Sequence, residues 1–142
     1  MEKGSLKHYE RYISSITNFA SALDIEIIYK PYDESAAWLP STNKIIMDDN
    51  VSQTEEVASL LHELGHAVSD LFDTPDADIK AIEKAYGVIY TNSPVSAKNL
   101  SVVLATEQRA WNTGREIAKR LKIRLGKWYT NVELECMEAY NE

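Results

Sequence analysis

Cysteine is almost missing from this chain: Cys136 is the single one in 142 residues. One thiol cannot close an intramolecular disulfide, and it excludes the thiolate-rich structural zinc sites. Long apolar runs are missing too. No stretch approaches the roughly 18 consecutive apolar residues of a membrane span. The polar start, Met1-Glu2-Lys3-Gly4-Ser5, is not followed by an apolar stretch of signal-peptide length. The expectation is a soluble, intracellular protein of the cytoplasm, with no membrane partner. Basic charge is in deficit, with 15 Lys and Arg against 22 Asp and Glu, a net charge of −7. An acidic chain of pI about 5.0 argues against direct nucleic-acid binding and against anionic membranes. There is no internal repeat and no low-complexity tract. The remaining composition, 44% hydrophobic and 26% charged, is that of one ordinary globular domain spanning 1–142.

Histidine is scarce as well, and its placement is informative. Of three histidines, two fall within His62-Glu63-Leu64-Gly65-His66, an H-E-x-x-H in a stretch that reads as helix. One helical turn separates i from i+4, so both imidazoles project from one face and can close on one metal ion. Imidazole nitrogens at that spacing suit Zn²⁺, one per chain, although Mn²⁺ and Fe²⁺ accept the same donors. Glu63 beside the first ligand is the expected general base, taking a proton from water activated by the metal. His8, the remaining histidine, reads as solvent-facing.

Around the motif, the periodicity predicts an amphipathic helix over 6–23 and a strand over 25–29. Residues 34–39 and 44–47 read as two further strands, forming a hairpin about the Pro40-Ser41-Thr42-Asn43 turn. Ser52 or Thr54 is placed to cap the motif helix, with Glu55 and Glu56 in its first turn. On that helix Val57, Leu60, Leu61, Leu64, Val68 and Leu71 form an apolar stripe, with His62 and His66 nearly opposite. Gly65 either leaves room beside the ligands or packs tightly against a neighbour. Residues 77–86 look helical and Val88-Ile89-Tyr90 extended. A long helix follows over 95–125, with Leu100, Val103, Leu104, Ala110, Trp111, Ile117, Ala118 and Leu121 as its buried stripe. Lys119, Arg120, Lys122 and Arg124 close it as a solvated basic end, and Gly126 is a plausible stop. A short helix over 131–140 completes the chain.

A catalytic zinc site needs a third protein ligand. Glu107 falls on the apolar stripe of the long helix, where a carboxylate is costly unless paired or bound to metal. Asp70, Asp73, Asp76 and Glu83, nearer the motif, are the alternatives.

Together these residues resemble the zincin metallopeptidases whose third ligand is a glutamate. His62-Glu63-Leu64-Gly65-His66 matches their active-site helix, and Glu107-Gln108-Arg109-Ala110 resembles the Glu-x-x-Ala of their second ligand helix. Among small members the chain is most similar to the ImmA/IrrE-type metallopeptidase domains, many of them from phages and mobile elements. The resemblance runs from about Ile25 to Leu121. It departs in the spacing of 44 positions from Glu63 to Glu107, and no helix-turn-helix module accompanies it. It implies a zincin-like α+β fold, with a small, mostly antiparallel sheet of about three strands packed on the motif helix and the glutamate helix. It also implies an endopeptidase acting on a protein or peptide partner, with Ala36-Ala37-Trp38 as a sheet edge along which an extended substrate pairs. Tyr86 and Tyr90 are the candidate donors to the oxyanion. Two other functions stay open: a binding or regulatory module on the same fold, and hydrolysis of a non-peptide amide or ester.

Overall fold

The computed structural model describes residues 3–32, 36–73, 84, 86 and 97–140. The order is helix α1 (Lys3–Ala22), strands β1 (Glu26–Lys30), β2 (Ala36–Leu39) and β3 (Lys44–Asp48), then helices α2 (Gln53–Val68), α3 (Ala97–Arg120) and α4 (Lys127–Ala139). The class is α+β, with four helices and one open three-stranded sheet among the described residues. No helix among them is long and apolar enough to cross a membrane.

α1 buries Tyr12, Ile16 and Ala20 at four-residue intervals, which is the apolar stripe of an amphipathic helix. α1 and α3 end alike, in a left-handed residue: Asp24 at φ 59° and Lys122 at φ 59°. Past each, a backbone N–H returns to the helix, Ile25 to the carbonyl of Ala20 at 2.9 Å and Ile123 to that of Ala118 at 2.8 Å. The long helix therefore stops before Gly126, which instead caps the N-terminus of α4. That final helix begins four residues earlier than its periodicity suggests.

The strand order is β1-β3-β2. β3 pairs antiparallel with β2, as the hairpin requires, but parallel with β1. The sheet is thus mixed rather than mostly antiparallel. The reason lies in β3: Ile45, Ile46 and Met47 are consecutive and all buried. A strand apolar on both faces belongs in the middle of a sheet, so β2 lies on the far side of β3 and is an edge among the described strands. Ile27, Ile45 and Trp38 share one cross-strand row and pack into the core.

α2 is the hub. It touches α1, α3, α4, β2 and β3. Ser52 caps it, its side-chain oxygen accepting from the Glu55 N–H at 3.2 Å, and Glu55 and Glu56 occupy the first turn. The two-faced helix expected from the wheel is not found. Residues 57–65 are buried without a break, because small residues at Ala58, Ser59 and Gly65 let neighbours close on the side that carries the histidines. Leu71 falls beyond the helix, in a π-helical turn (Ser69–Asp73), and is exposed.

Gly65 and Gly114 explain how closely α2 and α3 approach. A Cβ on Gly65 would overlap the carbonyl oxygen of Ala110 and lie 2.8 Å from its carbon. A Cβ on Gly114 would lie 2.9 Å from the Leu61 oxygen. Of the two readings of Gly65, the tight-packing one holds. The helices run antiparallel through these contacts and bring the N-terminal half of α3 across the motif.

Candidate metal centre

That crossing places Glu107 over the histidine pair. His62 Nε2 lies 2.9 Å from Glu107 Oε1, and His66 Nε2 lies 2.9 Å from Glu107 Oε2. One donor atom from each of His62, His66 and Glu107 falls within 4.8 Å of the others. Ligands around a tetrahedral zinc, at ~2.0–2.2 Å from it, are roughly 3.3 Å apart. The cluster is therefore within reach of one metal ion once its side chains draw together from the 4.8 Å limit.

The centre is dry. His62 is 8% exposed and Glu107 4%. His62 Nε2 is buried and, despite its 2.9 Å approach to Glu107 Oε1, makes no aligned hydrogen bond. A buried ring nitrogen aimed beside a carboxylate without bonding it is what a shared cation would resolve. This donor set fits a divalent metal.

With only the protein groups counted, charge compensation is internal. Burial pushes the Glu107 carboxyl up, but the two imidazoles facing it at 2.9 Å outweigh this and hold the group well below the usual carboxylate range. Burial pulls His62 down, whereas the Glu63 and Glu107 carboxylates raise it to about 9.

Glu63 is buried at 7% exposure and its Oε2 lies 3.2 Å from His62 Nδ1. It and Glu107 thus take opposite nitrogens of one ring. Glu63 is not among the three residues whose donor atoms converge. The His62 ring stacks on Trp111 with centroids 4.1 Å apart and planes 7° from parallel. Trp111 is wholly buried and is itself fixed by α4, where the Tyr129 hydroxyl donates to its carbonyl at 2.7 Å.

A groove of about 1160 Å³ opens over the cluster. His62, Glu63, His66 and Glu107 lie along it, with Ala36, Ala37 and Trp38 of β2 on one side and residues of α4 on the other. The Trp38 indole donates to Asp70 Oδ2 at 2.8 Å, tying the edge strand to the turn after the motif helix. Asp70 belongs to this tie and not to the metal cluster. The Asp73 side chain, Asp76 and Glu83 lie outside what the structure describes. His8 is exposed on α1 beside Arg11.

The Tyr86 hydroxyl donates to Glu107 Oε2. It therefore sits at the centre, against the carboxylate that faces the histidines. Tyr90 and the extended segment expected around it lie outside the described residues, as does most of the 77–86 stretch; Lys84 and Tyr86 within it are helical.

Two features escaped the sequence. Trp111 reads there as a core residue, and nothing marks it as the stacking partner of His62. Glu133 on α4 is buried and bonded to Arg115 and Gln108 of α3, with Gln108 Nε2 at 2.6 Å. It clamps α4 to the metal-facing helix, and a glutamate in a short polar helix gives no sign of this. No family model, curated protein or solved structure matches this chain.

Proposed function

We infer that the chain is a zinc-dependent peptidase that cleaves an extended segment of a protein or peptide partner. The observation that carries this reading is the buried His62–His66–Glu107 cluster at the base of a groove walled by β2, an edge strand among the described residues. His62, His66 and Glu107 would hold the metal. When bound, zinc supplies Lewis acidity, acidifying water and polarising a carbonyl. The remaining chemistry belongs to the chain. The edge of β2 at Ala36-Ala37-Trp38 pairs with substrate backbone and holds the scissile bond over the cluster. Glu63 takes a proton from the attacking water and delivers it to the leaving amine. Trp111 keeps the His62 ring in plane, and burial of the cluster limits competing water. Tyr86 is the described candidate for a donor to the developing oxyanion.

A second reading has its own support. Glu63 contacts His62 Nδ1, and a carboxylate there orients a ligand ring whether or not turnover occurs. A binding module on the same scaffold would use Glu63 in that way alone. The separating experiment is Glu63→Gln. The peptidase reading expects zinc content and melting temperature to stay close to wild type, while peptide hydrolysis falls about 10²–10⁴-fold. Wild-type turnover in this variant, freed of contaminating enzyme, removes Glu63 from the chemistry. A wild-type protein that binds peptides but leaves them intact supports the binding module.

A further inference from the structure

The described lining of the groove carries carboxylates at Glu55, Glu63, Asp70, Glu107 and Glu135, and no lysine or arginine. A divalent metal on the histidines and Glu107 would be offset by Glu63 and Glu107. Asp70 and Glu135 then remain as further negative charge along the walls. They come from the turn after α2 and from α4. Aromatic faces accompany them: Trp38, Trp128 and Tyr140 also line the walls. At β2 the two chemistries meet, because the Trp38 indole edge is bonded to the Asp70 carboxylate. An indole face with a carboxylate at its rim suits a lysine ammonium or an arginine guanidinium, by cation–π attraction together with charge. Neither an acidic partner nor a uniformly apolar one gains from such walls. The groove is built to receive a ligand on independent grounds: a strand edge that no described strand covers, and a buried imidazole nitrogen at its base that makes no aligned hydrogen bond.

We propose that the groove selects an extended peptide rich in lysine or arginine, with one cationic side chain seated at Trp38 and Asp70. This rests on reading the groove as the peptide site. A chain pairing along β2 turns alternate side chains toward the same wall, so one residue in two meets Trp38, Asp70 and their neighbours. The cationic positions therefore flank the scissile bond at every-other-residue spacing.

The test is binding measured apart from turnover. Fluorescently labelled alanine-glycine peptides carrying either paired lysines or paired glutamates are titrated with full-length, zinc-supplemented Glu63→Gln protein, and polarisation is read. The lysine peptide is expected to bind about 10-fold or more tightly at low salt, with the preference shrinking towards ~0.15 M ionic strength. Two double variants remove equal charge. Asp70→Asn/Glu135→Gln alters the groove, and asparagine still accepts the Trp38 hydrogen bond. Glu10→Gln/Glu116→Gln alters exposed positions that do not line it. The groove pair should weaken lysine-peptide binding about 5- to 10-fold, the scale of two exposed ion pairs, and the control pair less than about 2-fold. Equal affinity for the two peptides, no binding of either, or equal losses in both double variants would each overturn the proposal. Wild-type protein that binds the lysine peptide without cutting it leaves the preference standing and removes the peptidase. Hydrolysis of both peptides with equal kcat/KM leaves the peptidase standing and removes the preference.

Discussion

Gly65→Ala puts the architecture of the centre to a single-methyl test. Alanine normally favours a helix over glycine by about 1 kcal/mol, so propensity alone predicts a stabilised protein. The packing predicts the reverse. The new Cβ would lie 2.8 Å from the Ala110 carbonyl carbon and 3.0 Å from its Cα, and would overlap its oxygen. These are backbone atoms in the middle of α3, so no side-chain rotation relieves the clash. Reaching ordinary contact at 3.4 Å requires the helices to separate by at least the 0.6 Å difference at that carbon, and by more at the oxygen. Overpacking of this kind costs about 1–3 kcal/mol, and the unyielding partner places it at the upper end, leaving a net loss of about 1–2 kcal/mol after the propensity gain. Glu107 lies one turn from Ala110 on α3 and moves with it. A ligand carboxylate displaced by more than half an ångström exceeds the ~0.2 Å tolerance of a metal site. Zinc affinity should therefore fall about 10- to 100-fold, the range seen when ligand support is lost. Denaturant unfolding gives the stability, and competition with a chromophoric chelator gives the affinity. A Gly65→Ala protein that is more stable than wild type and binds zinc equally well would refute the close helix approach on which the Glu107 assignment depends.

Three further outcomes follow from other contacts. Trp111→Leu removes both the face on which His62 stacks and a large buried volume, and should cost about 3 kcal/mol in unfolding experiments along with weaker zinc binding. Trp111→Phe should cost less, because it keeps an aromatic face and deletes an indole N–H that is buried without a partner. Arg115→Met leaves the Glu133 carboxylate without its cationic partner and with only the Gln108 hydrogen bond. Burial pushes that carboxyl up, while hydrogen bonds from Arg115 and Gln108 prevail and hold it below the usual range. Its stabilisation is accordingly present above the unfolded pKa of about 4.3 and is lost as pH falls through the lower folded value. The variant should lose about 1–2 kcal/mol near pH 7, less than a fully buried pair because the arginine is 36% exposed. The gap to wild type should close in acid melts; a gap independent of pH contradicts the ion pair. Finally, His62 retains its proton up to about 9, so zinc binding near pH 7.5 must release protons. Calorimetry in buffers of different ionisation enthalpy should show a buffer-dependent heat and an affinity that rises with pH, and equal heats in all buffers would contradict this.

The His62–His66–Glu107 cluster was the most legible part of the chain. His62 and His66 declare themselves by spacing, and Glu107 by being a carboxylate on an apolar stripe; both signals reflect side chains that are costly to bury without a purpose. Sheet order was harder to read. A hairpin at Pro40–Asn43 fixes only the β2–β3 pair, and the parallel partner of β3 depends on which strand is apolar on both faces. The motif helix was misjudged for a related reason. Ala58, Ser59 and Gly65 add little to a hydrophobic stripe, yet their small size is what admits α3 and the sheet. Long-range partners such as Trp38 with Asp70, or Glu133 with Arg115, leave no local pattern at all. Each residue alone reads as an ordinary aromatic or a surface charge, and only tertiary packing brings the pairs together.

The central claim is that Glu107 completes a metal site with His62 and His66, and zinc affinity in Glu107→Leu tests it most directly. Leucine fills similar space among apolar neighbours, so the fold should persist and, without metal, even gain stability by removing a buried charge. Chelator competition on wild type should show about one tightly bound zinc per chain. The variant should bind it at least about 100-fold more weakly while melting no earlier than the metal-free wild type. Wild-type zinc affinity in Glu107→Leu would contradict the account and place the third ligand elsewhere in the chain.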